Sequence, residues 1–207
     1  MIRTVLLTGL CMLITACVTT QPQIHRHDEA ILDNLRSGGY VIFFMHAAAD
    51  RTSTDASSDL EVCADQPRLN GLGKTQAKVI GKSMRKLEIP VGEVYASQYC
   101  HCLNTARLAF GRATASLDIT HSRKAQEAER QRRIQALTSM LASLPDKGTN
   151  TVIVGHAAML KAAQHINLQA GEAAIFKPDG KGATVFVSQV KPNGWQTLVS
   201  RISDEEQ

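Results

Sequence analysis

Tyr40-Val41-Ile42-Phe43-Phe44-Met45-His46-Ala47-Ala48-Ala49-Asp50 follows the pair Gly38-Gly39. An unbroken apolar run after two glycines reads as a buried strand. Its abrupt stop at a histidine and small residues reads as the start of a loop. In open α/β sheets ligands lie beyond the carboxyl ends of the strands, which is where this pattern puts His46. The same stop recurs at Thr151-Val152-Ile153-Val154-Gly155-His156. Two strands ending in histidine are the main functional clue in the chain.

A length of 207 residues with 43% hydrophobic content predicts one domain with a sizeable core. The net charge of +4 and isoelectric point of about 8.9 are mildly basic. Aromatic residues make up only 4%, which argues against a base-stacking surface for nucleic acid. The densest basic stretch, Arg123-Lys124 with Arg130, Arg132 and Arg133, is interleaved with Glu127 and Glu129 and reads as a solvated helix face.

Residues 1–16 read as a signal segment: Met1-Ile2-Arg3 is a positive start, and Val5 to Ile14 is an apolar core too short to span a bilayer. The ending Ile14-Thr15-Ala16-Cys17 resembles the lipobox of bacterial lipoproteins. That resemblance implies cleavage before Cys17, lipidation of its sulfur, and a firm membrane anchor. Val18 after the cysteine points to the outer membrane, with the protein facing the periplasm. Residues 17–27 are then the lipidated cysteine and a tether, and 28–207 the folded domain.

Along that domain, His27 to Arg36 reads as a short helix closed by Ser37-Gly38-Gly39. Arg51 to Asp59 reads as a loop. Asn70 is a predicted N-cap for a helix carrying Ala77, Ile80, Met84 and Leu87 on one face. Val94 to Ser97 is a predicted strand and Asn104 to Gly111 a short helix. Gln126 to Leu144 is a further helix, with Ile134, Leu137, Leu141 and Leu144 on one side. After the strand Thr151–Val154 comes a helix from Ala157. Ala173–Phe176, Thr184–Val190 and Gln196–Val199 read as closing strands. Alternating strands and helices predict a three-layer α/β/α domain around a mostly parallel sheet.

The chain resembles the histidine phosphatase superfamily, with its phosphoglycerate-mutase-like fold. The residues that carry the resemblance are the strand ending in His46, Arg68-Leu69-Asn70 with Gly73 and Gln76-Ala77, and Tyr95 to Cys100. Thr105 to Gly111, Val154-Gly155-His156 and Gly171 to Gly180 complete it. The resemblance implies that a histidine, His46, attacks phosphorus and forms a phosphohistidine. It makes His156 the second pocket histidine. Two arginines would clamp the phosphoryl oxygens, and a carboxylic acid would protonate the leaving oxygen. Glu127 is the candidate acid, with Glu129, Asp50 and Asp65 as alternatives.

The sequence departs from that pattern at both arginines. Met45 stands before the nucleophile, and His101 takes the second arginine position; Ala47 replaces a glycine. His101 and Arg68 are the remaining candidates for binding phosphate. Hydrolysis of a small phosphorylated ligand is therefore expected to be weak, the alternative being an inactive pseudophosphatase that binds or scaffolds. His25, His27, His121 and His165 read as surface or structural.

Of five cysteines, Cys11 leaves with the signal and Cys17 is lipidated, so Cys63, Cys100 and Cys102 remain. The resemblance implies a Cys63–Cys100 disulfide; Cys63–Cys102 stays open as an alternative. No cofactor and no metal is expected, although His46, His101 and His156 gathered by such a fold would be a competent zinc set, with a thiolate nearby. The oligomeric state is not legible.

Overall fold

The computed structural model describes residues 23–50, 60, 63–121 and 125–205. The signal segment, Cys17, the first residues of the tether, the predicted loop 51–59, and Arg123-Lys124 lie outside the described residues. In chain order the elements are α1 (Gln23–Ser37), β1 (Val41–Met45), a 3-10 turn (Cys63–Asp65), α2 (Gly71–Lys86), β2 (Val91–Ser97), α3 (Cys100–Phe110) and β3 (Thr114–Ser116). They continue with α4 (Glu127–Ala142), β4 (Asn150–Gly155), α5 (Ala157–Gln164), β5 (Ala173–Pro178), β6 (Thr184–Val190) and α6 (Gly194–Glu205).

The strands form one six-stranded sheet in the order β3-β2-β4-β1-β5-β6. β3, β2, β4 and β1 run parallel, while β5 and β6 are antiparallel additions at one edge. The apolar run of β1 is explained by its place between β4 and β5 with both faces covered. Ile42 and Phe44 point into a core with Leu35 of α1, Ile80 and Met84 of α2, Ala106 of α3 and Trp195 of α6. Val41 and Phe43 point to the other side, against Leu137 and Leu141 of α4 and Met159 and Leu160 of α5. This is the three-layer α/β/α arrangement predicted from the alternation of elements. Buried Asn150 ties three segments together at the opposite end from the histidines. Its Oδ1 accepts from Tyr40 N at 3.1 Å, and its Nδ2 donates to Leu35 O at 2.7 Å and Pro90 O at 2.9 Å.

The structure corrects the sequence reading in several places. α1 starts at Gln23, inside the stretch assigned to the tether. α3 starts at Cys100 rather than Asn104, so His101 sits in its first turn. Leu144 is 64% exposed beyond the end of α4 and does not join its apolar side. Gln196–Val199 is part of α6, not a strand. The short window hid the longer spacing of Trp195, Leu198, Val199 and Ile202, which is one helical face and packs on the core. Among the basic residues read as a solvated face, Arg130 and Arg132 are exposed and paired with Glu127, Glu129 and Asp118. Arg133 is instead buried, bound to Glu129 and donating to Thr120 O at 2.8 Å.

Cys63 and Cys100 form the disulfide and Cys102 is a buried thiol, which excludes the Cys63–Cys102 alternative. The bridge joins residues 37 apart in sequence. Replacing both by serine is expected to lower the unfolding free energy by about 2–4 kcal/mol, through restored freedom of the unfolded chain. Denaturant unfolding of the double variant checks this; an unchanged midpoint would show that the bridge contributes nothing.

Candidate functional site

The three parallel strands β2, β4 and β1 lie side by side and end on the same edge. Each delivers a histidine there: His46 directly after β1, His156 as the N-cap of α5 after β4, and His101 in the first turn of α3 after β2. The loop after β1 is held from below. Ala47 N donates to Thr105 Oγ1 at 3.1 Å, Ala48 N to Gln76 Oε1 at 3.0 Å, and Asn70 N to Ala48 O at 3.1 Å. Asn70 caps α2 as predicted, its Oδ1 accepting from Gly73 N. A side chain at Gly73 would place its Cβ 1.9 Å from Ala48 O, so only glycine lets α2 approach this loop.

The ring centroids of His46 and His101 are 4.3 Å apart, those of His46 and His156 5.3 Å, and those of His101 and His156 5.2 Å. His101 Nε2 and His156 Nε2 face one another at 3.1 Å. His46 is half-buried, whereas His101 and His156 are buried. A carbonyl oxygen only accepts, so two contacts fix ring protons. His46 Nδ1 donates to Ala47 O at 2.8 Å and His101 Nδ1 to Pro67 O at 3.3 Å. Both rings therefore present the Nε2 lone pair to the site.

Burial first, and His46 second, push His101 down to about 3, against a smaller upward pull from the Pro67 carbonyl. Burial likewise holds His156 well below the ordinary histidine range, with His46, His101 and His121 adding to the effect. Both rings are neutral near pH 7. As pH falls, the unfolded chain takes up these protons first, near its ordinary value of about 6.5, so stability present above that pH is lost on the way down towards about 3. In chelator-containing buffer, the unfolding free energy should fall by up to about 1.4 kcal/mol per pH unit for each such histidine. His101→Gln should show a shallower decline in denaturant titrations between about pH 7 and pH 4. Identical slopes for the two chains would refute the burial of a neutral His101.

Three further neighbours surround this site, and two of them, Tyr99 and His121, the sequence reading missed. Tyr99 stacks on His101, with centroids 5.5 Å apart and planes 18° from parallel. His121, read as surface or structural, has its ring 5.9 Å from that of His156. Cys102 Sγ lies 3.9 Å from His156 Nε2. Tyr99 and Cys102 flank His101 at two residues before and one after, a spacing that becomes legible once α3 is known to start at Cys100. His121 carried no local signal, because only the packing beside β3 brings it back to the edge.

The other candidates fall elsewhere. Glu127 is exposed in the first turn of α4, paired with Arg130 at 3.3 Å and accepting from Gln131 at 2.7 Å. Hydrogen bonds from Arg132 and Arg133 hold Glu129 down at about 2, so it carries no acid proton at neutral pH. Arg68 is exposed on the wall of a cleft of about 630 Å³, shared with Asp50, Lys74, Lys78, Asn104 and Arg107; the three histidines are not among its lining residues. Met45 packs its side chain against the core under α4 and α5.

Neither a family model nor a curated protein matches the sequence. Solved structures do match its fold. A structure of the protein histidine phosphatase SixA complexed with tungstate is 15% identical, with 74% of this chain and 97% of that chain covered and a TM-score of 0.53. A phosphoserine phosphatase from Entamoeba histolytica in complex with 3-phosphoglyceric acid is 13% identical, covering 72% and 95%, with a TM-score of 0.53. A mycobacterial glucosyl-3-phosphoglycerate phosphatase in complex with inorganic phosphate is 12% identical, also covering 72% and 95%, with a TM-score of 0.53. The sheet order, the three layers and these likenesses agree: the chain has the phosphoglycerate-mutase-like fold of the histidine phosphatases.

Proposed function

We propose that this chain is a lipid-anchored protein of the bacterial cell envelope, belonging to the histidine phosphatase superfamily, in which phosphomonoester hydrolysis through a phosphohistidine is reduced to a trace. The observation that carries this reading is the state of His101. At the position of a clamping arginine it is buried, neutral at pH 7 and turned towards His156. A phosphomonoester dianion needs fixed positive charge around its oxygens, and a neutral imidazole supplies none. Met45, at the other arginine position, supplies none either. What remains of the machinery is a nucleophile: His46 is accessible from solvent and its proton is held on Nδ1, leaving Nε2 as the attacking atom.

The test is hydrolysis of a general phosphomonoester from acid to neutral pH, with His46→Ala as the control. Activity within a fewfold of His46→Ala supports the reading, and in the limit makes the protein a pseudophosphatase that binds rather than cleaves. Turnover typical of an efficient enzyme, lost in His46→Ala, overturns it. For the anchor, the expected result is lipid labelling of the wild-type chain and its loss in Cys17→Ser, with the wild type recovered in the outer-membrane fraction. Equal labelling of both chains would refute Cys17 as the site.

A further inference from the structure

We propose that the three-histidine pocket is a site for a divalent transition-metal ion, with zinc(II) as the probe. One ring nitrogen from each of His46, His101 and His156 lies within 4.8 Å of the others. The Nε2 atoms of His101 and His156 are 3.1 Å apart. Bonds of 2.0–2.1 Å in a tetrahedral zinc site put neighbouring ligand nitrogens about 3.3–3.4 Å apart, so this pair already has nearly the span of two ligands. The half-buried His46 closes the set from the solvent side.

The surroundings suit metal ligation in a second way. Ligating histidines are ordinarily oriented by a partner for the other ring nitrogen, often a backbone carbonyl. Ala47 O does this for His46 and Pro67 O for His101, and each carbonyl keeps the proton on Nδ1, away from the pocket. The lone pair of His101 Nε2 therefore meets His156 Nε2. With no ion present, His156 must carry its proton there; on binding, that proton moves to its Nδ1, so three neutral imidazoles bind without net proton release. An all-imidazole set favours zinc, copper or nickel over magnesium or calcium.

Cys102 Sγ is 3.9 Å from His156 Nε2 but does not join the group of mutually close donors. This leaves three protein ligands and an open fourth position on the His46 side, to be filled by water. The exchange of a phosphate-clamping arginine for His101 is what completes the set. The inference does not depend on whether any phosphatase activity survives.

Zinc is titrated into chelator-stripped protein against a competing chelator, with the melting temperature followed in parallel. Cobalt(II) is loaded separately to read coordination from its visible spectrum. One zinc per chain, a raised melting temperature and the intense bands of four-coordinate cobalt are expected. His46→Ala and His101→Arg should each weaken binding by at least about a hundredfold. Cys102→Ser and the pair His25→Ala/His27→Ala should bind as the wild type does. Because His101 is buried, circular dichroism checks the fold of its variant, and a variant that does not fold leaves the decision to His46→Ala. Absence of stoichiometric uptake, an unchanged melting temperature, full binding by His46→Ala, or loss of binding in the His25/His27 variant would each overturn the proposal.

Discussion

Met45→Arg combined with His101→Arg is expected to raise phosphomonoester hydrolysis at least about a thousandfold over the wild-type chain. Truncating one charge-assisted, desolvated contact costs about 2–5 kcal/mol, and each 1.36 kcal/mol is about tenfold in rate. Even the lower figure, taken twice, gives roughly three orders of magnitude. On the proposed reading the two positions act on the same dianion, so each single variant should recover much less than the pair. His101→Arg must bury a guanidinium where a neutral ring now packs against Tyr99, and some loss of stability is expected with it. Met45→Arg begins from a partly buried side chain at the last residue of β1, next in sequence to His46. Adding His46→Ala to the double variant should abolish the gain. A folded double variant with no gain would show that charge is not what the pocket lacks; a gain that survives His46→Ala would remove His46 as the nucleophile.

Trp195→Ala is expected to cost about 3–5 kcal/mol of stability, the usual range for emptying a large aromatic site in a core. Trp195 is fully buried and lies 6.1 Å, centroid to centroid, from Phe44 of the central strand. It is the fully buried residue of the face by which α6 packs on the core, beside Leu198, Val199 and Ile202. Its indole N–H is buried without a hydrogen-bond partner among the described residues. Trp195→Phe keeps most of the apolar surface and removes that unsatisfied donor, so it should cost far less than the alanine variant. Chemical denaturation of the three chains measures both differences. Equal losses for alanine and phenylalanine would show that the site is tuned to the indole's shape, and a negligible loss for alanine would mean that α6 does not dock as described.

The order of the elements, β3 and α6 apart, and the placing of His46 and His156 were legible because they rest on local patterns. A strand buried on both faces has to be apolar throughout, and the first polar residue after it marks where it leaves the sheet. Asn70 as a cap belongs to the same class, since its partner, Gly73 N, lies three residues on. The errors share a cause as well. Gln196–Val199 reads as a strand because a four-residue window cannot tell a period of two from one of 3.6, and the start of α3 is not legible because no side chain caps it. The burial of Arg133 is not legible, because nothing in its neighbourhood announces Thr120 O as a partner.

From its sequence alone the chain determined its layers, the strands β1, β2, β4, β5 and β6, the two histidines at strand ends, and the residues Met45 and His101 at positions where the family resemblance implies arginine. Those are properties of residue type and spacing. Only the tertiary structure decided what the replacements mean. Whether His101 would stand in for a cation depended on its burial, on the Pro67 carbonyl behind it and on the His156 ring in front of it, all contributed by segments distant in sequence. An imidazole's charge is set by the medium and neighbours around it, and those exist only once β1, β2 and β4 have brought their ends together.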